Sequence, residues 1–501
     1  MARHGSDTNP HSEAEVLTVV LPDSRCGDDV ARAAAEAWPG SVVVGGTNPW
    51  ALFDVASHVE APGGDLGRLA RIAGCRVVGP HADADPERLF VETYLDGPVY
   101  FDAWSRQPID FATAADQLAW LRDRFSENDR PTVCVGMSRW KRAAAARFLD
   151  GPDGDPSFAG TAERALDQAR RRGGRIVGWE TRMPRRLEAD CAGSGIPLLR
   201  MEDGFLRSVG LGAAFLPGAS CVLDGRGIYY DPGRPSDLEQ ILATADFPAS
   251  LVERAAQLRR DVVALRLSKY NVGSVGALDD LPRDRPVVLV PGQVEDDASV
   301  LLGSPGTPGN RALLAASRAR NPESYLVFKP HPDVEAGLRR GRIEEAEARH
   351  FADRVIADVS ITDLFDRVDA VETMTLLAGF EALLRGKRVA VHGRPFYAGW
   401  GLTIDLDPPD RRTRRLLIDE LVAGALILYP RYVDPVTGQR CPPEVLVHRL
   451  AAARDAARTV PASARAARAA YARARHALLG PLAAILRKRR GAMRDAPGPR
   501  G

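Results

Sequence analysis

The chain has 501 residues, of which 45% are hydrophobic and 27% charged, with a formal net charge of +1. This is the profile of a globular protein with room for two large lobes and an extra segment, and it argues against a fibrous or mainly disordered chain. The charge is uneven: residues 458–501 carry eleven Lys/Arg and one acid, so a tail of +10 follows a body of −9, which does not suit a nucleic-acid-binding body.

No run reaches the roughly 18 apolar residues of a membrane-spanning helix. The opening MARHGSDTNPHSEAEV has no apolar h-region, so it is expected to be a short disordered lead-in rather than a signal peptide. The six cysteines are scattered, with no CxxC pair and no close His partner. A reduced, cytoplasmic protein without a disulfide framework or zinc site is expected.

Residues 1–127 contain a partial copy of a later segment. LFD at 52–54 recurs at 364–366, and at the same offset of 312 Val59, Glu60, Gly67, Ala70, Gly74, Arg76 and Val77 match Val371, Glu372, Gly379, Ala382, Gly386, Arg388 and Val389. At an offset of 332, Tyr100, Asp102, Gln107, Leu118, Arg122 and Asp123 match Tyr432, Asp434, Gln439, Leu450, Arg454 and Asp455. Thr373, Thr375 and Glu381 face Ala61, Gly63 and Leu69, and PFYAGWGLT (395–403) has no counterpart. The first copy is therefore expected to be a structural remnant, not a second active site.

From residue 131 onward, short apolar runs alternate with helical patterns. PTVCVGM (131–137), RIVGWE (175–180), PLLRME (197–202), RPVVLVPG (285–292), SYLVFKPHP (324–332) and KRVAVHG (387–393) read as buried strands. That alternation predicts an α/β protein with parallel sheets and crossover helices. The amphipathic stretch 251–273, ending in a Gly/Asn break, separates two Rossmann-like lobes, 128–280 and 281–455, with a cleft between them.

Chemistry-bearing residues fall at the strand ends. GMSRWK (136–141) offers Ser138, Arg139 and Lys141, which suit an acidic sugar. MEDGFLRSVGLG (201–212) places Glu202 and Asp203 at a strand's carboxyl end, where a carboxylate can serve as nucleophile or base. LSKYN (267–271) supplies Ser268, Lys269 and Tyr270. GQVEDDASV (292–300) brings Gln293, Glu295, Asp296 and Asp297, without the further ligands a metal site needs. FKPHPD (328–333) sets Lys329 and His331, with Pro332, at a helix start suited to phosphate oxygens. ETMTLLAGFEALLRGK (372–387) places Thr373 and Thr375 where an N-cap would lie, a phosphate cradle without a Walker lysine; Glu381 on the following helix is within reach of either a ribose or its own cap.

These segments, followed by RPFYAGWGLT and YVDPVTG, occur in one order over about 130–455. In that order the chain resembles the capsule polysaccharide biosynthesis family of KpsC-type retaining β-Kdo glycosyltransferases. The resemblance implies a GT-B fold, CMP-Kdo as donor, no metal or other cofactor, and transfer with retained β configuration onto a Kdo-bearing lysophospholipid at the inner face of the cytoplasmic membrane, building a capsule linker. It implies that His331–Pro332 and Thr373/Thr375 hold the nucleotide phosphate, and that a carboxylate nucleophile acts with an acid/base group. Asp203 is the expected nucleophile, with Glu202, Glu295 and Asp297 as competing carboxylates. Arg207 and Lys269 are expected to pair the Kdo carboxylate. The family's tandem-module members make two linkages; one complete module here implies one linkage, with a second capsule transferase as a partner for extension. Another nucleotide-activated acidic sugar, and a non-catalytic scaffold of a capsule assembly complex, are the alternatives. The Ala/Arg-rich tail, 456–501, with its leucines before RKRR, suits an anionic membrane surface.

Overall fold

The fold is described from a computed structural model. It describes residues 65–207, 218–268, 280–337 and 339–459, with short pieces at 19–20, 42–43, 53, 56, 58–60 and 278. Lys269, Tyr270 and nearly all of the basic tail lie outside the described residues. The chain separates into two compact units, Met1–Asp116 and Gln117–Gly501.

In the N-terminal unit β1 (Val19–Val20) pairs in parallel with β2 (Val42–Val43). Strand β3 (Val59–Glu60), helix α1 (Asp65–Ile72) and strand β4 (Val77–Val78) form a parallel unit with Val59 opposite Val77. Helix α2 (Pro86–Phe90) starts on an Asp85 cap with proline in its first turn and runs into a π-helical turn over Val91–Leu95. The hairpin β5 (Tyr100–Phe101) and β6 (Pro108–Ile109) follows, then α3 (Phe111–Ser126).

The second unit holds two six-stranded sheets. In the first, β7 (Thr132–Val135), β8 (Ser157–Phe158), β9 (Arg175–Trp179) and β10 (Leu198–Asp203) are parallel, and β11 (Ser220–Asp224) is antiparallel to β10. Helices α4 (Arg139–Leu149), α5 (Ala162–Arg171) and α6 (Leu187–Ser194) are the crossovers. Their apolar faces bury Phe148, Leu149, Ala165, Ala169 and Leu187 against buried apolar residues of the strands, among them Val133, Val135, Ile176 and Val177. Helices α7 (Asp237–Thr244), capped by Ser236, and α8 (Ala249–Ala264) complete this lobe.

The second sheet is all parallel, ordered β14-β13-β12-β15-β16-β17. Its elements in chain order are β12 (Val287–Pro291), α9 (Ala298–Gly303), α10 (Asn310–Arg320), β13 (Tyr325–Lys329), α11 (Pro332–Glu335), α12 (Glu345–Ala348), β14 (Arg354–Val355), α13 (Ile361–Phe365), β15 (Ala370–Thr373), α14 (Leu377–Leu384), β16 (Arg388–Val391) and β17 (Ile404–Asp405). The strand order reverses between β12 and β15, so the loops after those strands meet at a switch point where α/β sheets bind ligands.

The end of the chain departs from the simple two-lobe division. After α15 (Ile418–Val422) and a second π-helical turn, Ala423–Leu428, strand β18 (Pro430–Tyr432) pairs with β11 of the first sheet, and α16 (Pro443–Thr459) follows. The physical cause is the open edge of β11, which Tyr432 and Val433 cover while becoming buried themselves. Arg254 of α8 makes a two-pronged pair with Glu444 at 2.7 and 3.0 Å, and Arg412 binds Glu239 at 2.9 Å. Between the lobes, Phe205 stacks on Phe396 with ring centroids 4.5 Å apart, beside Phe380 and Tyr429. The PFYAGWG stretch is core: Tyr397 and Trp400 are fully buried, and the Trp400 indole donates to the Phe396 carbonyl at 2.8 Å.

The sequence offsets return as backbone geometry. Val371 lies opposite Val389 as Val59 lies opposite Val77. Both copies run a short helix into a π-helical turn. The Tyr100 hydroxyl donates to the Tyr94 carbonyl at 2.8 Å, and the Tyr432 hydroxyl to that of Leu426 at 2.7 Å. In each hairpin an aspartate closes the turn: Asp102 N–H donates to the Gln107 carbonyl and Asp434 N–H to that of Gln439, both at 2.8 Å. The turn residue with positive φ is Arg106 (61°) in one copy and Gly438 (75°) in the other.

Candidate active site

Two groups of side chains meet at strand carboxyl ends. The first surrounds Asp203, the last residue of β10. Its Oδ2 lies 3.1 Å from Arg207 Nε and 3.4 Å from Lys141 Nζ. Lys141 comes from the first turn of α4 and sits 3.3 Å above the centre of the Trp179 ring, at the end of β9. Burial pulls its ammonium below the ordinary lysine range, against Asp203 and Glu202, which hold it up. The backbone leaves room for this arrangement. Gly136, at φ 77°, approaches the Arg182 carbonyl so closely that a Cβ would lie 2.9 Å from the oxygen. At Gly218 a Cβ would lie 3.1 Å from Asp203 Oδ1.

Glu202 belongs to the same cluster. Its Oε2 accepts from the Thr181 hydroxyl at 3.2 Å and its Oε1 from the Asp203 N–H at 3.1 Å. Loss of hydration, and then the neighbouring Asp203 charge, push its carboxyl up to about 7. One carboxylate held by two cations, beside one poised to exchange a proton near neutrality, is the division of labour expected of a nucleophile and an acid/base group. Tyr229 donates to the Asp203 carbonyl at 3.4 Å.

The second group lies at the switch point of the other sheet. The carboxamide of Gln293, two residues past β12, reaches the turn after β15. Its Oε1 accepts from the Thr373 hydroxyl at 3.1 Å and from the N–H groups of Met374 and Thr375, both at 3.0 Å. Its Nε2 donates to the Thr375 hydroxyl at 3.1 Å. A hydroxyl and two backbone N–H groups converging on one oxygen form an anion cradle. The threonines are not the cap of α14, as the sequence suggested; that position is Leu376, because Gln293 already binds the turn. His331 caps α11, its Nδ1 accepting from the Asp333 N–H at 3.1 Å, so a neutral ring carries its proton on Nε2. Pro332 is the first residue of that short helix.

Other sequence candidates are placed differently. Glu295 Oε1 accepts from the Asn310 N–H at 2.9 Å at the start of α10. Asp297 caps α9, accepting from the Ser299 hydroxyl at 2.7 Å. Both acids thus serve helix N-termini, where an acid is favoured for its own sake. Lys329 is buried and donates to the Ala357 carbonyl at 2.8 Å; burial lowers it to about 8. Glu381 lines a small cavity at the lobe boundary with Phe205, Leu206, Val262 and Phe380. Trp179, Thr181 and Tyr229 were not singled out from the sequence: Trp179 reads as the last residue of a buried strand, Thr181 lies two residues beyond it, and Tyr229 lies five residues beyond β11. Among the described residues no group of three or more His, Cys, Asp or Glu is arranged to hold a metal, and no helix is long and apolar enough to cross a membrane.

One lobe on a mixed sheet and one on an all-parallel sheet, with chemistry-bearing residues at strand carboxyl ends, define a two-lobed α/β architecture. Residues 175–440, more than half of the chain, match the family model for capsule polysaccharide biosynthesis proteins, and the chain belongs to that family. It is 41% identical over 355 residues to the capsule polysaccharide modification protein LipA of Neisseria meningitidis serogroup A, covering 70% of this chain and 50% of LipA. It is 47% identical over 242 residues to the lipopolysaccharide-processing protein LpsZ of Rhizobium meliloti, covering 48% of this chain and 55% of LpsZ. The chain thus spans about half the length of the curated relatives it matches. Among solved structures, the β-Kdo 2,7 transferase of Thermosulfurimonas dismutans KpsC is 35% identical with a TM-score of 0.53, covering 64% of this chain and 99% of that one. The β-Kdo 2,4 transferase of the same KpsC is 31% identical with a TM-score of 0.56, at 64% and 98%. The fold is therefore the two-lobed GT-B-like fold of these transferases.

Proposed function

We propose that the chain is a retaining glycosyltransferase that takes Kdo from CMP-Kdo and adds it to a Kdo-bearing lipid acceptor during capsule assembly. The observation that carries this reading is Asp203, held by Lys141 and Arg207 beside a Glu202 that titrates near 7. The two similar KpsC structures, a β-Kdo 2,7 and a β-Kdo 2,4 transferase, support the sugar and the reaction class.

In this reading the donor phosphate takes the place of Gln293 Oε1 among the donors of Thr373, Met374 and Thr375, with the His331 Nε2–H as a further donor. Asp203 attacks the anomeric carbon as the bond to the phosphate oxygen breaks and CMP leaves. The acceptor hydroxyl then gives its proton to Glu202 and displaces Asp203, so two inversions retain configuration. The cations around Asp203 also suit an acidic sugar, with Arg207 and Lys269 placed by the reading on the Kdo carboxylate. The site of action is the cytoplasmic side of the membrane, approached through the basic tail, with a second capsule transferase extending the product.

The test is turnover of CMP-Kdo with a synthetic Kdo-terminated acceptor, read by mass spectrometry and anomeric NMR. A single β-linked addition supports the reading. CMP binding without any transfer, with lipid acceptors also supplied, returns the chain to a scaffold role.

A further inference from the structure

Two buried cations depend on the charge of Asp203. Arg207 Nε, at 3.1 Å, and Lys141 Nζ, at 3.4 Å, both meet Asp203 Oδ2. The Arg207 side chain is 3% exposed and that of Lys141 17%. Indoles enclose the ammonium further: it lies 3.3 Å from the centre of the Trp179 ring and 5.3 Å from that of Trp140. Burial works against its charge and Arg207 repels it, while Asp203, ahead of Glu202, holds it up. The segment that follows Arg207 in the chain, 208–217, contains no Asp or Glu.

In the transferase reading, on which this inference rests, the charge of Asp203 disappears in the first step. A carboxylate oxygen of Asp203 bonds to the anomeric carbon, the bond from that carbon to the donor phosphate oxygen breaks, and its electron pair leaves with CMP. No proton moves. Asp203 is then a neutral ester, and Lys141 and Arg207 have lost the anion they share. A guanidinium keeps its proton in proteins, whereas a buried ammonium without a counter-charge sheds its own. Glu202 is not aimed at the ammonium: its two oxygens accept from the Thr181 hydroxyl and the Asp203 N–H. A carboxylate carried on the anomeric carbon is well placed instead. It lies one carbon from the ester oxygen, so it comes within ion-pair reach of the cations that met Asp203.

We propose that Lys141 passes from Asp203 to a carboxylate on the donor's anomeric carbon as the covalent bond forms, and thereby selects 2-ulosonate donors over sugars with a hydrogen or a neutral group at that position. Asp203 occupies Lys141 in the free chain. The contact with the sugar therefore strengthens only along the reaction path, and its effect falls on the rate of adduct formation rather than on donor affinity.

The test compares CMP-Kdo with its C1 carboxamide in single-turnover adduct formation by the full chain, which separates donor affinity from rate. The parent is expected to form the adduct about 100-fold faster, or more, with the carboxylate donor. K141M should cut that ratio to about fivefold or less and change the ratio of the two affinities by less than about threefold, whereas K141R, which keeps the charge, should retain about 20-fold or more. A second measurement needs no turnover. In D203A Lys141 has lost its resting partner, so calorimetry should show the preference for the carboxylate donor in affinity rise about tenfold over the parent, and D203A/K141M should lose that gain. A K141M chain that keeps the parent's rate ratio, or that loses the preference in affinity alone, overturns the proposal, as does D203A without the gain. Absence of any adduct from the parent with both donors contradicts the transferase reading and this proposal together; an adduct with an unaltered ratio in K141M contradicts the proposal alone.

Discussion

Gln293 is the most informative residue to change, because its side-chain oxygen stands where the reading places a donor phosphate. Q293A removes the acceptor of three donors, including the fully buried Thr373 hydroxyl, and one further bond to Thr375. At ~1 kcal/mol per lost bond, and ~1–3 for a buried donor left unsatisfied, the unliganded protein should lose about 4 kcal/mol. For a unit of this size that is a fall in Tm of roughly 5 °C. Q293E keeps the acceptors and should hold the fold within about 1 kcal/mol, but it seats a permanent negative charge in the cradle. A phosphate about 4 Å away meets roughly 4 kcal/mol of repulsion at an effective dielectric of ~20, and half of that weakens CMP about 30-fold. Thermal denaturation with and without CMP, together with calorimetric titration, reads both effects. The reasoning fails if Q293A is as stable as the parent, or if Q293E binds CMP as tightly as the parent does.

Four other substitutions discriminate between roles. Glu202 titrates at about 7 in the folded chain against 4.5 when unfolded, so its contribution to stability is full below pH 4.5 and is lost as pH rises through 7; E202Q should flatten that slope in denaturant titrations and cut turnover about 100-fold or more. Lys329, lowered to about 8 from 10.5, is the opposite case: its contribution is full above 10.5 and lost as pH falls through 8. K329M should therefore equal or exceed the parent in stability at pH 7 and leave CMP affinity within about twofold, whereas a phosphate-binding lysine would cost tenfold or more. E295A and D297A should each cost about 1 kcal/mol in unfolding experiments as lost helix caps, with turnover within about threefold of the parent.

How far the sequence could be read depended on whether a residue's role is set by its neighbours in the chain or by the fold. Val287–Pro291 and Arg175–Trp179 were legible as strands because runs of apolar residues between helical patterns have few other uses in a parallel sheet. Glu202 and Asp203 were legible as strand-end acids, because a strand's carboxyl end projects side chains toward the cleft, and the structure brings Asp203 together with Lys141 and Arg207. Glu295 and Asp297 carry the same local signal, and only the loop geometry turns them onto the N–H groups of Asn310 and Ser299. Lys329 was read together with its neighbour His331 as suited to phosphate oxygens, while in the fold its ammonium turns to the Ala357 carbonyl. Trp179 looked like strand interior, since nothing local announces that Lys141 lies on its ring. The return of β18 to the first sheet was hidden for a similar reason: a three-residue strand has no period, and its place is set by the open edge of β11, some 200 residues earlier in the chain.

The role of Asp203 is the central claim, and a covalent sugar on that residue tests it most directly. The chain is incubated with CMP-Kdo in the absence of acceptor, quenched in acid, and analysed as intact protein and as peptides. The account predicts a mass increase of one Kdo residue on the peptide containing Asp203, chased off by acceptor, and absent from D203A, which still binds CMP. Near-normal turnover by D203A, or an adduct located on another carboxylate, would contradict it.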